Sequence, residues 1–543
     1  ITPSVAQKSR ETSFFVQDDW KATSRLTVNL GLRYEYSTPY ADRFDRLQIA
    51  NFTAPTGVTV PGVGEIYGVA EFVTPDRRTS TTDRNNIAPR LGLAYQLKPT
   101  TVLRAGIGLY YGVNYATSYQ NIGPAFRKSL AYYSTLDNGL TQYATLSNPF
   151  PSGIVSAQGR QYGTLNGWGF ASGSNLSDTL RNAEIYQLAF SVQHELGGGQ
   201  MVEVAYSGNR STHLPVGGSR NRNYIRTAAR QQFGTSGLSR YVANPFYSYF
   251  TGPAAKFNQP DSVYAQPTIQ QVNLLRPFPQ FSGSFEGFAE FVANSWYNSM
   301  QVKYEKRYSK GLNIVGSYTL ATQRDDSDVS SNSWLGNSAS IQDLNDIRAE
   351  YSVAATDARH RVVFSGSYEL PFGRGRVLGT NIGKALDTIV GGWQANAYVT
   401  FQTALPLNVR MRTNRIQDGS QRPNVSGNPR SGFSIKDVVN GRGANNYFNV
   451  AAFSDPGDQR AGNGPRFNGN LRGDGIRGVD FSVFKNLQVR EGLKLQLRAE
   501  FFNFLNTPRF RDPNTRFGDT SMGVISAQGN SPRQAQMGAR LTF

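Results

Sequence analysis

The sequence predicts an all-β fold, an antiparallel transmembrane β-barrel, on three observations. Apolar and polar residues alternate in segments that recur along all 543 residues. These segments are about 10–13 residues long, whereas an average strand has about 5–6 and a strand tilted across a bilayer needs about 9–11. The connections between them alternate between a few residues and several tens, as in barrels with short turns on one side and long loops on the other.

The segments run over 12–20, 25–36, 87–97, 101–112, 183–196, 200–209, 296–308, 312–322, 359–370, 391–401, 477–489, 493–501 and 533–543, which predicts about 13 strands. In the clearest, Leu26, Val28, Leu30, Leu32, Tyr34 and Tyr36 share one side, and Thr27, Asn29, Gly31, Arg33 and Glu35 the other. A charge at the bilayer midplane costs about 2–4 kcal/mol. The apolar side therefore meets lipid, and Arg33, Glu35, Lys494, Arg498, Glu500 and Arg540 are predicted to line the lumen. A soluble sandwich would carry the same two faces, so the connections decide between them. Short turns fall at 21–24, 98–100, 197–199, 309–311 and 490–491, separated by stretches of roughly 30 to 85 residues, and a soluble domain with six such loops would be unusual. Counting back from Phe543 puts every short turn on one side, the periplasm, and the long loops outside the cell. The connection Pro371–Gly391 is long for a turn, and a short helix over 382–389 is expected there. The long loops, rich in Asn, Gly, Ser, Pro, Tyr and Arg, read as coil.

The last strand ends on an aromatic residue. Met537, Ala539, Leu541 and Phe543 share its apolar side, the form of the C-terminal signal by which outer-membrane barrels engage the barrel assembly machinery. The bland alternative is the last strand of a soluble sheet.

Composition narrows the function classes. Charged residues are 17 % and apolar residues 38 %, low both for a soluble surface and for a large core. No apolar run approaches the roughly 18 residues of a membrane helix. With no Cys, a disulfide scaffold, a thiolate metal site and a Cys nucleophile are excluded. Ile1–Val5 carries no Met, no basic stretch and no apolar stretch, so the chain reads as processed or as a fragment. The net charge of +18 comes from 44 Arg against 12 Lys, spread along the chain. That distribution argues against nucleic acid and leaves contact with lipopolysaccharide, a plug-facing lumen or plain loop solubility.

The chemical motifs are weak. Gly473–Gly478 spells G-x-G-x-x-G, but coil precedes it and a strand follows, the reverse of a dinucleotide site. Asp325, Asp326 and Asp328 lack the EF-hand order. His194, His213 and His360 lack metal spacing, and no G-x-S-x-G elbow occurs. No enzyme, cofactor or metal is predicted.

Several segments together resemble one family. Phe14–Trp20 followed by Leu26–Tyr36, Tyr297–Val302 with Lys310–Leu312, Asp357–Arg361 running to Tyr368–Gly373, Gly391–Gln394, Phe401–Pro406, Ala452–Ser454 and Glu500–Asn506 resemble TonB-dependent outer-membrane receptors of the Oar-like subgroup. That subgroup carries a carboxypeptidase-regulatory-like domain. The resemblance implies a 22-stranded barrel in the outer membrane of a Gram-negative bacterium. It further implies a plug domain, energy from the TonB–ExbB–ExbD complex acting through the plug, and a transported substrate. On that basis residues 1–543 are expected to be the C-terminal part of the barrel, without the plug and N-terminal domain. A non-transporting adhesin or structural barrel shares every pattern argument, and a soluble, glycan-binding β protein is the third reading.

Overall fold

The computed structural model describes the chain outside residues 1–5, 40, 75–81, 113–123, 127–131, 133, 136–138, 152, 154–156, 158, 170–172, 178–180, 216–218, 258, 260–261, 289–290, 327–340 and 442–445. Thirteen strands form one antiparallel sheet in which each pairs with its neighbours in chain order. They are β1 (Glu11–Lys21), β2 (Leu26–Ser37), β3 (Ile87–Lys98), β4 (Thr101–Gly112), β5 (Ala183–Gly197), β6 (Gln200–Pro215), β7 (Phe291–Ser309), β8 (Leu312–Asp325), β9 (His360–Glu369), β10 (Trp393–Gln402), β11 (Ile476–Arg490), β12 (Leu493–Phe502) and β13 (Gln534–Thr542). Each coincides with an alternating segment of the sequence. A fourteenth, two-residue strand, Ser352–Val353, pairs with the far end of β8.

The register keeps the two faces distinct across the whole sheet. One row runs Trp20, Val28, Leu93, Ala105, Phe190, Tyr206, Met300, Leu320 over β1 to β8. It reaches His360 only at β9. Another row, on the opposite face, runs Asn313, Ser367, Asn396, Ser482, Glu500, Gln536 over β8 to β13. Because side chains alternate with period 2, a one-residue slip between any two strands would put apolar groups in the polar row. The register shifts that occur are confined to strand ends, as between Ser211 and Pro215, Lys306 and Ser309, and Gln488 and Arg490, and leave these rows intact.

The middle of the apolar face is left uncovered by the described residues. Met300 is 42 %, Leu188 47 % and Ile107 56 % exposed, so these side chains need a solvent of hydrocarbon. Among the described residues no helix is long and apolar enough to cross a membrane. Crossing falls to the strands, which satisfy backbone donors and acceptors between themselves.

Tight turns close one end. At Lys310–Gly311 both residues have positive φ, 50° and 79°, the type I′ geometry whose twist matches that of the flanking strands. A Cβ on Gly311 would stand 3.0 Å from the Glu369 carbonyl oxygen. The long turn between β9 and β10 holds the expected helix, α1 (Lys384–Val390). Trp393 Nε1 donates to the Ile389 carbonyl at 2.8 Å, and Lys485 Nζ donates to the carbonyls of Ile389 and Gly391. These bonds use carbonyls that the helix end leaves unpaired.

The other end departs from the expectation of coil. Three long connections contribute Gln48–Val60, Gly64–Phe72, Gly173–Ser177, Ser219–Asn221 and Phe285–Phe288 to a separate five-stranded sheet. The largest fully buried side chains, among them Trp168, Phe246, Tyr264, Phe281 and Phe448, all lie in the long connections and none in a wall strand. A membrane wall has lipid on one face and a polar space on the other, so dry protein cores can form only where the loops pack on one another.

β1 pairs only with β2, and β13 only with β12, among the described residues. With thirteen strands on the path, these two edges run in the same direction. An antiparallel closure of one on the other is therefore excluded by count.

Candidate functional site

The polar face and the folded loops above it make the candidate site. All six residues predicted for the lumen lie on that face. Arg33 donates to Glu35 at 2.5 Å and to Ser13 at 3.0 Å. Glu500 accepts from Gln536 at 2.5 Å. Arg498 donates to Gln496 at 2.6 Å and lies 5.0 Å from the Phe484 ring centre. Lys494 stands opposite Thr542, and Arg540 opposite Gln496. They form two groups rather than one: Arg33 and Glu35 near one edge of the sheet, the other four on β12 and β13 at the opposite edge. Beside Glu500, a cavity of about 410 Å³ is lined both by polar groups, among them Asn313, Asn396 and Asp480, and by apolar ones, among them Val315, Phe481 and Phe501.

The four residues predicted as an assembly signal lie on the apolar side of the last strand. Met537, Ala539 and Leu541 stand opposite Ala499, Leu497 and Leu495, and Phe543 follows the strand at 97 % exposure.

The loop cap has two aromatic cores. In the first, Phe281 stacks on Phe285 at 4.6 Å, Tyr264 meets Phe246 edge-on at 5.3 Å, and Trp168 meets Phe246 at 5.9 Å. Tilted and edge-on rings at such distances attract beyond their area burial. The Asn223 amide ties this core's backbone, donating to the carbonyls of Phe278 and Gly283 and accepting from Phe278 N. The second core gathers Leu407, Ile435, Val438, Tyr447, Phe448, Phe453, Leu471 and Met522. Within it, α2 (Ile435–Val439) starts on a capping box between Ser434 and Asp437, which satisfies two orphan donors at once.

Arginine–carboxylate pairs fasten one loop to another. Arg422 grips Glu350 with two bonds of 2.8 and 3.0 Å, both side chains almost fully buried. Arg230 meets Asp343 at 2.8 Å, Arg276 meets Asp418 at 2.6 Å, and Arg472 meets Asp357 at 2.5 Å. Arg466 pairs with Asp325. Burial pulls the Arg466 guanidinium down to about 10, still a cation at neutral pH. Gln342 completes the network: its carbonyl accepts from the backbone N–H of Arg422 and Gly462, and its amide donates to the Gly462 carbonyl. Fork-shaped guanidinium groups suit two-bond contacts such as those of Arg422 and Arg276, which gives these arginines a structural role that Lys would not fill. The spread of Arg along the sequence hid this, because each pair joins residues far apart.

Asp343 gives the cap a pH dependence. Burial raises its pKa, but bonds from Asn345 N, Thr227 Oγ1 and Arg230 outweigh it and hold the carboxyl below its ordinary value. A group with its folded pKa depressed stabilises above its unfolded pKa, and that contribution is lost as pH falls through the folded value. The tether between the 227–239 helix and the 343–350 segment is therefore expected to loosen only below about pH 4. Hydrogen exchange of these segments at pH 3 and pH 6 should show the loosening, and Asp343→Asn should flatten the difference.

One membrane feature was missed in the sequence. On the apolar face, Trp20, Tyr95, Tyr304, Tyr368 and Trp393 lie toward the turn end, and Tyr34, Tyr186, Trp296 and Phe401 toward the loop end. The pairs Trp296/Tyr304 and Trp393/Phe401 are each eight residues apart, about 27 Å along a strand. These are the two aromatic girdles that flank an apolar band about 25 Å tall. An aromatic at each end of a ten-residue alternating segment was the available signal.

The other singled-out motifs serve the structure. Gly473–Gly475 is a loop leading into β11. A Cβ on Gly475 would meet the Gln402 carbonyl at 2.5 Å, so close backbone approach explains that glycine. Asp326 accepts from the Asn294 backbone and side chain, and Asp328 lies outside the described residues. His194 bonds Thr101 Oγ1 and His360 bonds the Tyr318 hydroxyl, each at 2.9 Å. His213 stands 3.9 Å from Glu184.

A sheet apolar on one side, polar on the other, banded by aromatics and capped by loops at one end defines a bacterial outer-membrane β-barrel protein. The chain belongs to the family described as outer membrane beta barrel domain, whose model matches residues 2–536. No curated protein matches the sequence. It is similar to the ferripyoverdine receptor of the outer membrane of Pseudomonas aeruginosa, at 11 % identity, over 99 % of this chain and 39 % of that chain, with a TM-score of 0.40. For the outer membrane transporter YddB from Escherichia coli the figures are 10 %, 99 %, 55 % and 0.39. For the siderophore receptor PiuA from Acinetobacter baumannii they are 8 %, 99 %, 43 % and 0.38. The chain thus spans from about two fifths to just over half of the length of these structures.

Proposed function

We propose that this chain is the wall, lumen lining and outer cap of a TonB-dependent transporter of the Oar-like kind. The observation that carries this reading is the continuous polar face beneath a prefolded cap: a path with bonding groups on its wall and an ordered surface at its mouth. The series of motifs from Phe14 to Asn506 supports the same family. Arg33, Glu35, Lys494, Arg498, Glu500 and Arg540 line the path. The edges of β1 and β13 are completed by further strands, an odd number of them, since unpaired edge groups in hydrocarbon cost several kcal/mol each. A larger barrel of this kind houses a plug, through which the TonB–ExbB–ExbD complex supplies energy. Met537, Ala539, Leu541 and Phe543 are read by the assembly machinery.

The test is the complete reading frame. The reading expects a plug and a TonB-contacting segment encoded ahead of these strands, and full-length protein that cross-links to TonB in cells. A complete frame without a plug would overturn transport and leave an adhesin or structural barrel.

A further inference from the structure

We infer a site for a phosphorylated glycolipid of the outer leaflet, on the lipid side of the wall at its loop end. A groove of about 890 Å³ lies where the far ends of β9, β10 and β11 meet α2. Its floor includes Val362 and Phe401, which face each other across β9 and β10 on the apolar side of the sheet. Val439 of α2 adds a third apolar group, and all three side chains are exposed.

The rim is cationic. Arg430, Lys436 and Arg477 are exposed and border the groove. Arg472 also borders it, but is held by Asp357. The carboxylate among the lining residues is Asp474. It bonds Arg477 at 2.8 Å, accepts from Phe510 N and is itself buried. Lys436 has no ion pair among the described residues, and Arg430 lies 5.9 Å from the Tyr447 ring centre. Three exposed cations against one buried carboxylate leave the rim with a net positive charge.

The groove opens onto the same face as the apolar rows and lies at the level of the loop-end girdle, where Phe401 sits. An occupant must therefore offer anionic groups to the rim and acyl chain to the floor. Lipopolysaccharide, with phosphates next to its acyl chains, has both in the right order. Arg and Lys recognise phosphate by charge and hydrogen bonding. The inference rests on the membrane placement of the sheet, not on transport.

The test uses the purified full-length protein in detergent, with phosphorylated lipopolysaccharide, dephosphorylated lipopolysaccharide and inorganic phosphate as probes. Retained lipid is read by native mass spectrometry. The triple variant Arg430→Gln, Lys436→Gln, Arg477→Gln should lower affinity for phosphorylated lipid about tenfold, each exposed charge contributing modestly. Dephosphorylated lipid should bind the original protein about as weakly. Arg374→Gln, exposed in the β9–β10 turn at the other end of the wall, should retain lipid unchanged, and unaltered heat-modified gel mobility would show that the triple variant is folded. Equal retention by the folded triple variant would overturn the site. So would equal binding of both lipid forms, or displacement by millimolar inorganic phosphate alone.

Discussion

Glu350→Ala is expected to open the loop cap, raising hydrogen exchange across 342–357 and 403–475 by two or more orders of magnitude. The Arg422 guanidinium is almost fully buried and gives two bonds to Glu350, with its Nε donating to the Gly464 carbonyl. Without the carboxylate, a buried cation and the backbone N–H of Gln342 lose their acceptor. Breaking a buried pair from one side costs about 3–5 kcal/mol. Replacing both partners, as in Glu350→Leu with Arg422→Met, should recover part of the loss, because a well-packed apolar pair carries no desolvation penalty. The strands below should keep their protection, since none of the largest fully buried side chains of the cap cores belongs to a wall strand. A cap in Glu350→Ala as protected as the original would mean that the ionic network does not hold the loops.

Met300→Arg is expected to destabilise the wall by about 2–4 kcal/mol, whereas Gln301→Arg should be nearly neutral. Met300 lies midway between the girdle residues Trp296 and Tyr304, and its row neighbours are Tyr206 and Leu320. That places it near the bilayer centre, where a charge has no partner. Gln301 points to the polar face, between Ala205 and Thr319. Urea unfolding of the two variants in lipid vesicles measures the difference.

The wall was legible because its physics is local. A strand between lipid and water must alternate, and Leu26–Tyr36 or Leu493–Phe501 announces this without help from the rest of the chain. The ends of β6 and β7 were less visible. The alternation read at 200–209 and 296–308 continues to Pro215 and begins at Phe291, beyond register shifts between Ser211 and Pro215. The helix in the β9–β10 turn was legible from connection length alone. The cap was not. Trp168 packs on Phe246, and Arg422 on Glu350, across 78 and 72 residues of chain with no period linking them. Such contacts depend on loops being brought together by strands that are already paired. The same holds for the six residues predicted for the lumen: their face could be read from alternation, but not their division between opposite edges of the sheet.

The central claim is that the sheet stands in a membrane with its apolar rows toward lipid. These 543 residues hold no Cys, so a single cysteine introduced at each position from 299 to 303 carries a nitroxide label without competition from them. In lipid vesicles, collision with oxygen should be high at 300 and 302, and collision with a water-soluble nickel chelate high at 301 and 303, whereas the buried position 299 should be reached poorly by either. Equal access of the chelate to all five positions, or the opposite alternation, would contradict the membrane wall described above.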